Sequence, residues 1–350
     1  LAVGAASVLS ALAAAHLSES RRRRDSLLAT VALAGLGVSA LGLLATLAGR
    51  APLLEARLTF VNPNHLAGFL NLTSFVSLGF ALRSRGRTRL LWLISFAVAA
   101  SGVFLSLSRG GIAAFFVGAA VFGVLYLRRL GEETGRVHPW RLAAVPAALA
   151  VALAVAAYLA LDPVIAEMRT VKGGTSEAKL RVWPAALSML RESTVTGIGR
   201  GAFATAFASH KSEPDPYTFP PAQNKWIQPL VDLGVPAGLL LIGAVVWTWL
   251  RAARSRDLSR PELGALAGMA ALGAHNAVDF SLELAGVAVP FAVLLGIAAR
   301  DQPSVLLRPT FSRAGALAAV AVALLGMGLH RRHLGAAEAA AVARAPSADA

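Results

Sequence analysis

RRRRDSLLATVALAGLGVSALGLLATLAGR, residues 21–50, is the stretch on which the fold turns. Four arginines precede an uncharged run from 27 to 48, mostly Ala, Leu, Gly and Val. A helix rises 1.5 Å per residue, so about 20 such residues cross a hydrocarbon core about 30 Å thick. The pattern recurs along the chain. Apolar stretches at 1–17, 27–48, 64–82, 90–107, 110–127, 142–161, 227–250, 262–280, 286–299 and 314–330 predict ten crossings. The stretch 286–299 is short, and 262–280 is interrupted by His275, Asn276 and Asp279. Hydrophobic residues make up 56% of the 350, with a mean hydropathy of +0.62. This is the composition of an all-α polytopic membrane protein.

Arginine then sets the sidedness. With Arg21–Arg24 placed inside, the alternate loops hold Arg83, Arg85, Arg87 and Arg89; Arg128, Arg129, Arg136 and Arg141; Arg251, Arg254, Arg256 and Arg260; and Arg300, Arg308 and Arg313. That side carries 19 of the 33 Lys and Arg, against 6 in the short segments opposite; the other 8 lie in the long segment 162–226. Short cytoplasmic loops collect basic residues, so both ends and the long loop are expected outside. The net charge of +14 is then a topology signal, and a nucleic-acid partner is not needed to explain it. The chain has no cysteine, so disulfides, thiolate metal sites and a cysteine nucleophile are excluded.

The expected organisation is a membrane domain over 1–330, holding the loop 162–226, then a tail at 331–350. The chain opens at Leu1 inside an apolar run and closes on a low-complexity stretch, so a longer natural protein is expected. In the loop, EAKLRVWPAALSMLRE (177–192) spaces Leu180, Trp183, Leu187 and Leu190 by threes and fours. That spacing predicts a helix with one apolar face, lying at the membrane interface, with Pro184 limiting its upstream regularity. TGIGRGAF (196–203) follows. Gly197, Gly199 and Gly201 fit a simple turn, or a cradle of N–H groups for phosphate.

Charged groups inside a crossing are costly and tend to be functional. Here they are Arg109, Asp232 and Asp279, each towards an outer end, which places the working surface at the outside face. Arg109, in SLSRGG, offers a planar fork of donors to phosphate oxygens, or anchors the helix at the lipid headgroups. Arg181 can join it, or stay a solvated loop arginine. Asn62, Asn64 and His65 in NPNH open the third crossing as a helix cap, and can also hydrogen-bond sugar hydroxyls. Gln223 and Asn224 close the long loop, with Gln228 and Asp232 one and two turns further on. His275, Asn276 and Asp279 form another polar face, suited to hydrogen bonds between helices. Trp183 and His210 complete the candidate substrate contacts.

Taken together, FVNPNHLAGFL (60–70), SLSRGG (106–111), RVWPAAL with TGIGRGAF (181–203), QNKWIQPLVDLGVPAG (223–238) and AHNAVDF (274–280) resemble the O-antigen ligase and polymerase superfamily. The resemblance implies transfer of a glycan from an undecaprenyl-pyrophosphate carrier to an acceptor hydroxyl at the periplasmic face of the inner membrane. The acceptor is lipid A core, another glycan or a protein, and no metal or cofactor takes part. It implies that Arg109 and Arg181 hold the pyrophosphate. The family pattern carries His-Asn where this chain has Gln223-Asn224, and glutamine does not titrate near neutral pH. Gln223 and Asn224 are therefore expected to orient the acceptor by hydrogen bonds. The alternatives are that His65 or His210 acts as base, or that the activity has changed. Three rival functions stand beside the ligase: a repeat-unit polymerase, a lipid-linked glycan transporter, and a non-catalytic assembly partner. A transporter should carry polar groups at the midplane; here they collect towards one face.

Overall fold

The computed structural model describes residues 2–48, 60, 62–134, 175–210 and 221–300. Among these, regular structure is entirely helical. The helices are α1 (Ala2–Leu17), α2 (Arg21–Leu47), α3 (Pro63–Arg83), α4 (Gly86–Leu105), α5 (Arg109–Thr134), α6 (Thr175–Glu192), α7 (Phe203–Ser209), α8 (Gln228–Arg254), α9 (Arg260–His275) and α10 (Ala285–Ala299), with a 3₁₀ turn at Ser281–Glu283. Five of them, α2, α3, α4, α5 and α8, are long and apolar enough to cross a membrane. Helices α1, α9 and α10 have 16, 16 and 15 residues, so each reaches only about 24 Å. Eight of the ten expected crossings are thus seen as helices; those at 142–161 and 314–330 lie outside the described residues. The stretch 262–280 ends as a helix at His275, and its polar residues form the turn that follows.

Helix α3 is the axis of the bundle. It is buried almost all round, polar Asn71, Thr73, Ser74 and Ser77 included. A polar group facing hydrocarbon has no water to bond, so these must find partners inside the protein. Asn71 Nδ2 donates to the Gly111 carbonyl of α5 at 2.8 Å, and the Ser77 and Ser95 hydroxyls pair at 3.0 Å across to α4. Small residues bring α9 against α3 backbone to backbone. A Cβ on Gly264 or Gly268 would lie 2.0 and 2.4 Å from the Phe75 and Leu72 carbonyl oxygens, and one on Gly79 would lie 2.3 Å from that of Arg260. This is the small-xxx-small contact that packs helices where burial from water gives no drive.

The arginine-rich segments expected on one side do meet at one end. Arg83 pairs with Asp25 at 2.8 Å, while Arg24 and Arg300 close on buried Glu262 at 3.2 and 2.5 Å. Glu262 also completes a capping box with Ser259 at the start of α9. Arg128 donates to the Ala253 and Arg254 carbonyls, whose helix end carries partial negative charge. Residues at the other termini of α3 and α9, His65 and His275, lie at the far end of the bundle, the mouth.

Candidate active site

A break in α8 builds the mouth. Gly234 has φ +80°, outside the helical region, and Pro236 brings no N–H. The Val231 and Asp232 carbonyls thereby lose their helical partners. Both are taken up by the segment after α6: Ile198 N–H donates to Val231 and Gly199 N–H to Asp232, each at 3.0 Å, while Val235 N–H donates to Thr194 at 2.7 Å. Gly197 has no room for a Cβ, which would stand 2.5 Å from the Asp232 backbone. The Gly-rich stretch is therefore a turn docked on a broken helix, and the Gly197 and Gly199 N–H groups are spent within the protein. Helix α6 packs there too, through Val182, Ala185, Ala186 and Met189 against Phe203, Phe207, Ala222 and Val231. The face expected from the Leu spacing is thus rotated by a residue, with Trp183 and Leu190 at its margin and Leu187 exposed. Small side chains let α6 approach closely, whereas the leucine line would hold it off. The helix also runs through Pro184, on its exposed side.

The strap leading into α8 is fixed to the turn after α9. Asn224 Oδ1 accepts the Trp226 and Ile227 N–H groups at 2.9 and 3.1 Å, closing the turn before α8, and its Nδ2 donates to the Ala277 carbonyl at 2.7 Å. Lys225 N–H donates to the Asn276 and Asp279 carbonyls, and Trp226 Nε1 to that of Gly273. Gln223, buried beside them, holds the left-handed backbone conformation at φ +56°. Gln228 links the strap to α8: its Oε1 accepts from Ala222 N–H and its Nε2 donates to Asp232.

Arg200 and Glu283, which sequence reading did not single out, join this floor with Lys225 of the strap. Arg200 reaches Glu283 at 2.5 Å and Asp232 at 3.9 Å, and the Lys225 ammonium bonds the other Glu283 oxygen. Their signal in the sequence was faint: one arginine among three glycines, and one carboxylate in an otherwise apolar SLELAG.

His65 and Asp279 meet at the mouth, Nε2 to Oδ1 at 3.7 Å, with the His65 ring edge-on to Phe280 at 4.8 Å. His275 is buried beneath Gly68 and Gly110; a Cβ on either would come within 3.3 Å of its ring. Arg109, adjacent to Gly110, is exposed at the start of α5. Asn62 caps α3 by accepting the Asn64 N–H at 2.9 Å. His210 lies elsewhere, at the corner of α6 and α7, bonded to the Ala206 carbonyl at 2.8 Å and to Glu192 at 3.0 Å. The carbonyl first, then the carboxylate, holds its pKa above the ordinary 6.5. Arg181 lies on α6, and its side chain is outside the described residues.

This geometry lies largely within, and partly beyond, a recognisable domain. Residues 94–242 match the family model for O-antigen ligase. The chain carries an O-antigen ligase domain. None of the curated proteins compared matches the chain significantly. The O-antigen ligase domain supplies Arg109, Arg181, Arg200 and the strap from Gln223 to Asp232. The bundle around it supplies His65, His275, Asp279 and Glu283. The match supports a function of the O-antigen ligase and polymerase type, in a chain with five helices long and apolar enough to cross a membrane.

Proposed function

We propose that the chain transfers a glycan from undecaprenyl pyrophosphate to an acceptor hydroxyl, at the mouth of the bundle and on the periplasmic side of the inner membrane. The arginine-rich end then faces the cytoplasm, as the charge bias of short loops requires. One observation carries the reading: an O-antigen ligase domain whose strap, broken helix and Gly-rich segment share a single polar floor. Pyrophosphate gains charge as it leaves, and fixed donors aimed at it lower the barrier. Arg109 is suited to that role, since its helix start also favours an anion. Arg181 acts with it. Each charge-assisted hydrogen bond contributes about 1.5–3 kcal/mol. Gln223 and Asn224 place the acceptor, Asn224 chiefly by holding the strap. Asn62, Asn64, Trp183 and His275 line or support the glycan's path, while His210 holds the corner of α6 and α7. The acceptor is lipid A core or another glycan or protein hydroxyl; a repeat-unit polymerase would use the same floor with a second carrier-linked chain as acceptor.

The test uses proteoliposomes of the whole protein, supplied with an undecaprenyl-pyrophosphate-linked oligosaccharide and lipid A core. Arg109→Ala and Arg181→Ala are each expected to lower transfer by about 100-fold, with normal protein level in the membrane. Arg109→Lys is expected to rescue poorly, because an ammonium lacks the two-pronged fork. Near-normal transfer by Arg109→Ala would return this residue to the role of headgroup anchor.

A further inference from the structure

At the arginine end, the first turns of α2 open onto a recess remote from the mouth. Arg21, Arg22, Asp25, Ser26 and Ala29 line it from α2, and Phe80 from α3, around a volume of about 600 Å³. Positions 21, 22, 25, 26 and 29 are three, four or eight apart, so they share one face of the helix. That face runs about 12 Å from a charged rim at Arg21 and Arg22 to an apolar wall at Ala29 and Phe80. The same side of α2 continues with Leu33 and Leu44, both exposed, and a Cβ on Gly37 would meet nothing within 4 Å.

Other arginines of this end are spent inside the protein, Arg24 and Arg300 on Glu262 and Arg83 on Asp25. The recess differs. Its one carboxylate, Asp25, is offset by Arg83 at 2.8 Å, so exposed Arg21 and Arg22 leave it with a net positive charge. Among the described residues no carboxylate pairs with either of them. Its wall is fixed in advance: the Arg83 guanidinium lies over the Phe80 ring at 4.9 Å, and Trp92 stacks on Phe80 at 4.5 Å. Topology asks only that basic residues gather on one side of the membrane. It does not ask for two of them at the rim of a recess with an aromatic wall. A ligand that matches both parts has an anionic phosphate head and a hydrocarbon tail. The guanidinium fork suits phosphate oxygens, and the boundary between Arg22 and Ala29 falls at the depth where a bilayer presents its headgroups. A zwitterionic headgroup would bring a further cation to a site that is already positive.

We propose that this recess seats one anionic phospholipid, its phosphate on Arg21 and Arg22 and an acyl chain along Ala29, Phe80 and Leu33. Arg83 shapes the seat without holding the phosphate, by offsetting Asp25 and fixing Phe80. The seat lies at the opposite end of the bundle from the mouth and does not depend on the chemistry there.

Native mass spectrometry of the whole protein in a neutral detergent tests this, by titration with phosphatidylglycerol, with phosphatidylcholine of the same acyl chains, and with glycerol phosphate. Phosphatidylglycerol is expected to fill one site about tenfold or more tightly than phosphatidylcholine, and glycerol phosphate in about 100-fold excess should not displace it. Arg21→Gln combined with Arg22→Gln should weaken phosphatidylglycerol binding about 30-fold, since each basic residue beside an anionic headgroup contributes about fivefold. Arg85→Gln combined with Arg87→Gln, exposed at the start of α4 but outside the recess, should change it less than about threefold. Ser26→Trp keeps every charge and fills the recess from an exposed position; it should weaken binding about tenfold, and it carries the test if the double arginine variant fails to accumulate. Equal weakening by the two arginine pairs overturns the proposal, because it is the behaviour of a diffuse positive surface. Equal binding of the two lipids overturns it as well, and so does unchanged binding in Ser26→Trp. Displacement by glycerol phosphate would assign the recess to a free phosphate and not to a lipid.

Discussion

Gln223 and Asn224 are neighbours with different parts to play. Asn224 is consumed as a clamp, all three of its hydrogen bonds holding the strap in place. Gln223 sits at φ +56°, a conformation uncommon outside glycine that persists where surrounding structure dictates it. The sequence marked both residues as polar groups at a helix mouth, and could not say which was structural. His210 offers a direct check at this scale. Its pKa is raised, so its pairing with Glu192 contributes in full below 6.5 and is lost as pH rises through the folded-state value. The pair is partly exposed and contributes only about 0.2–1 kcal/mol. Glu192→Gln is expected to bring the His210 titration, followed by NMR, part of the way back towards 6.5. The return is partial because the Ala206 carbonyl is the larger cause and remains. A titration unmoved by Glu192→Gln would remove the carboxylate from the account.

At the scale of elements, α8 shows how a defect becomes a dock. Pro236 in a membrane helix leaves the Asp232 carbonyl open, and the structure fills it with Gly199 N–H. The docked segment then carries Arg200 to Glu283, 83 positions away in the chain. Gly234→Ala is expected to undo this. A side chain at φ +80° costs about 1–2 kcal/mol, and the new Cβ would stand 2.1 Å from the Val195 carbonyl oxygen. The expected result is faster amide exchange over 194–203 and transfer reduced about 100-fold, the scale on which misplacing a site by 1 Å acts. Gly37→Ala, where a Cβ meets nothing within 4 Å, is the matched control and should change neither. Unchanged exchange over 194–203 in Gly234→Ala would show that the segment does not depend on the break.

At the scale of the molecule, the two ends differ in chemistry. One is a set of arginines closing on Glu262, Asp25 and helix carbonyls; the other is the polar mouth. Because the chain has no cysteine, single cysteines report sidedness cleanly. Val195→Cys, at an exposed mouth position, should react with an impermeant thiol reagent added outside cells. Arg256→Cys, exposed at the arginine end, should react only after permeabilisation. Labelling of Arg256→Cys in intact cells would invert the topology. The sequence by itself determined the class, most of the described helices and the common end of the described arginine-rich segments. Hydropathy and charge act along one dimension, and a 30 Å slab reads them segment by segment. It also located Gly197, Gly199 and Gly201 and most of the polar candidates. Only the tertiary structure decided what those residues meet. The rotation of α6 depended on which side chains are small enough to let it approach α7 and α8, a property of the partners as much as of the helix. The pairings of His65 with Asp279, Arg200 with Glu283 and Lys225 with Glu283 join residues on separate elements, and no local periodicity encodes them. They exist because α3 and α9 touch backbone to backbone and a broken helix captures a loop. The pairings of Arg200 and Lys225 with Glu283, and the Gly199 bond to the Asp232 carbonyl, satisfy polar groups that a membrane leaves without water.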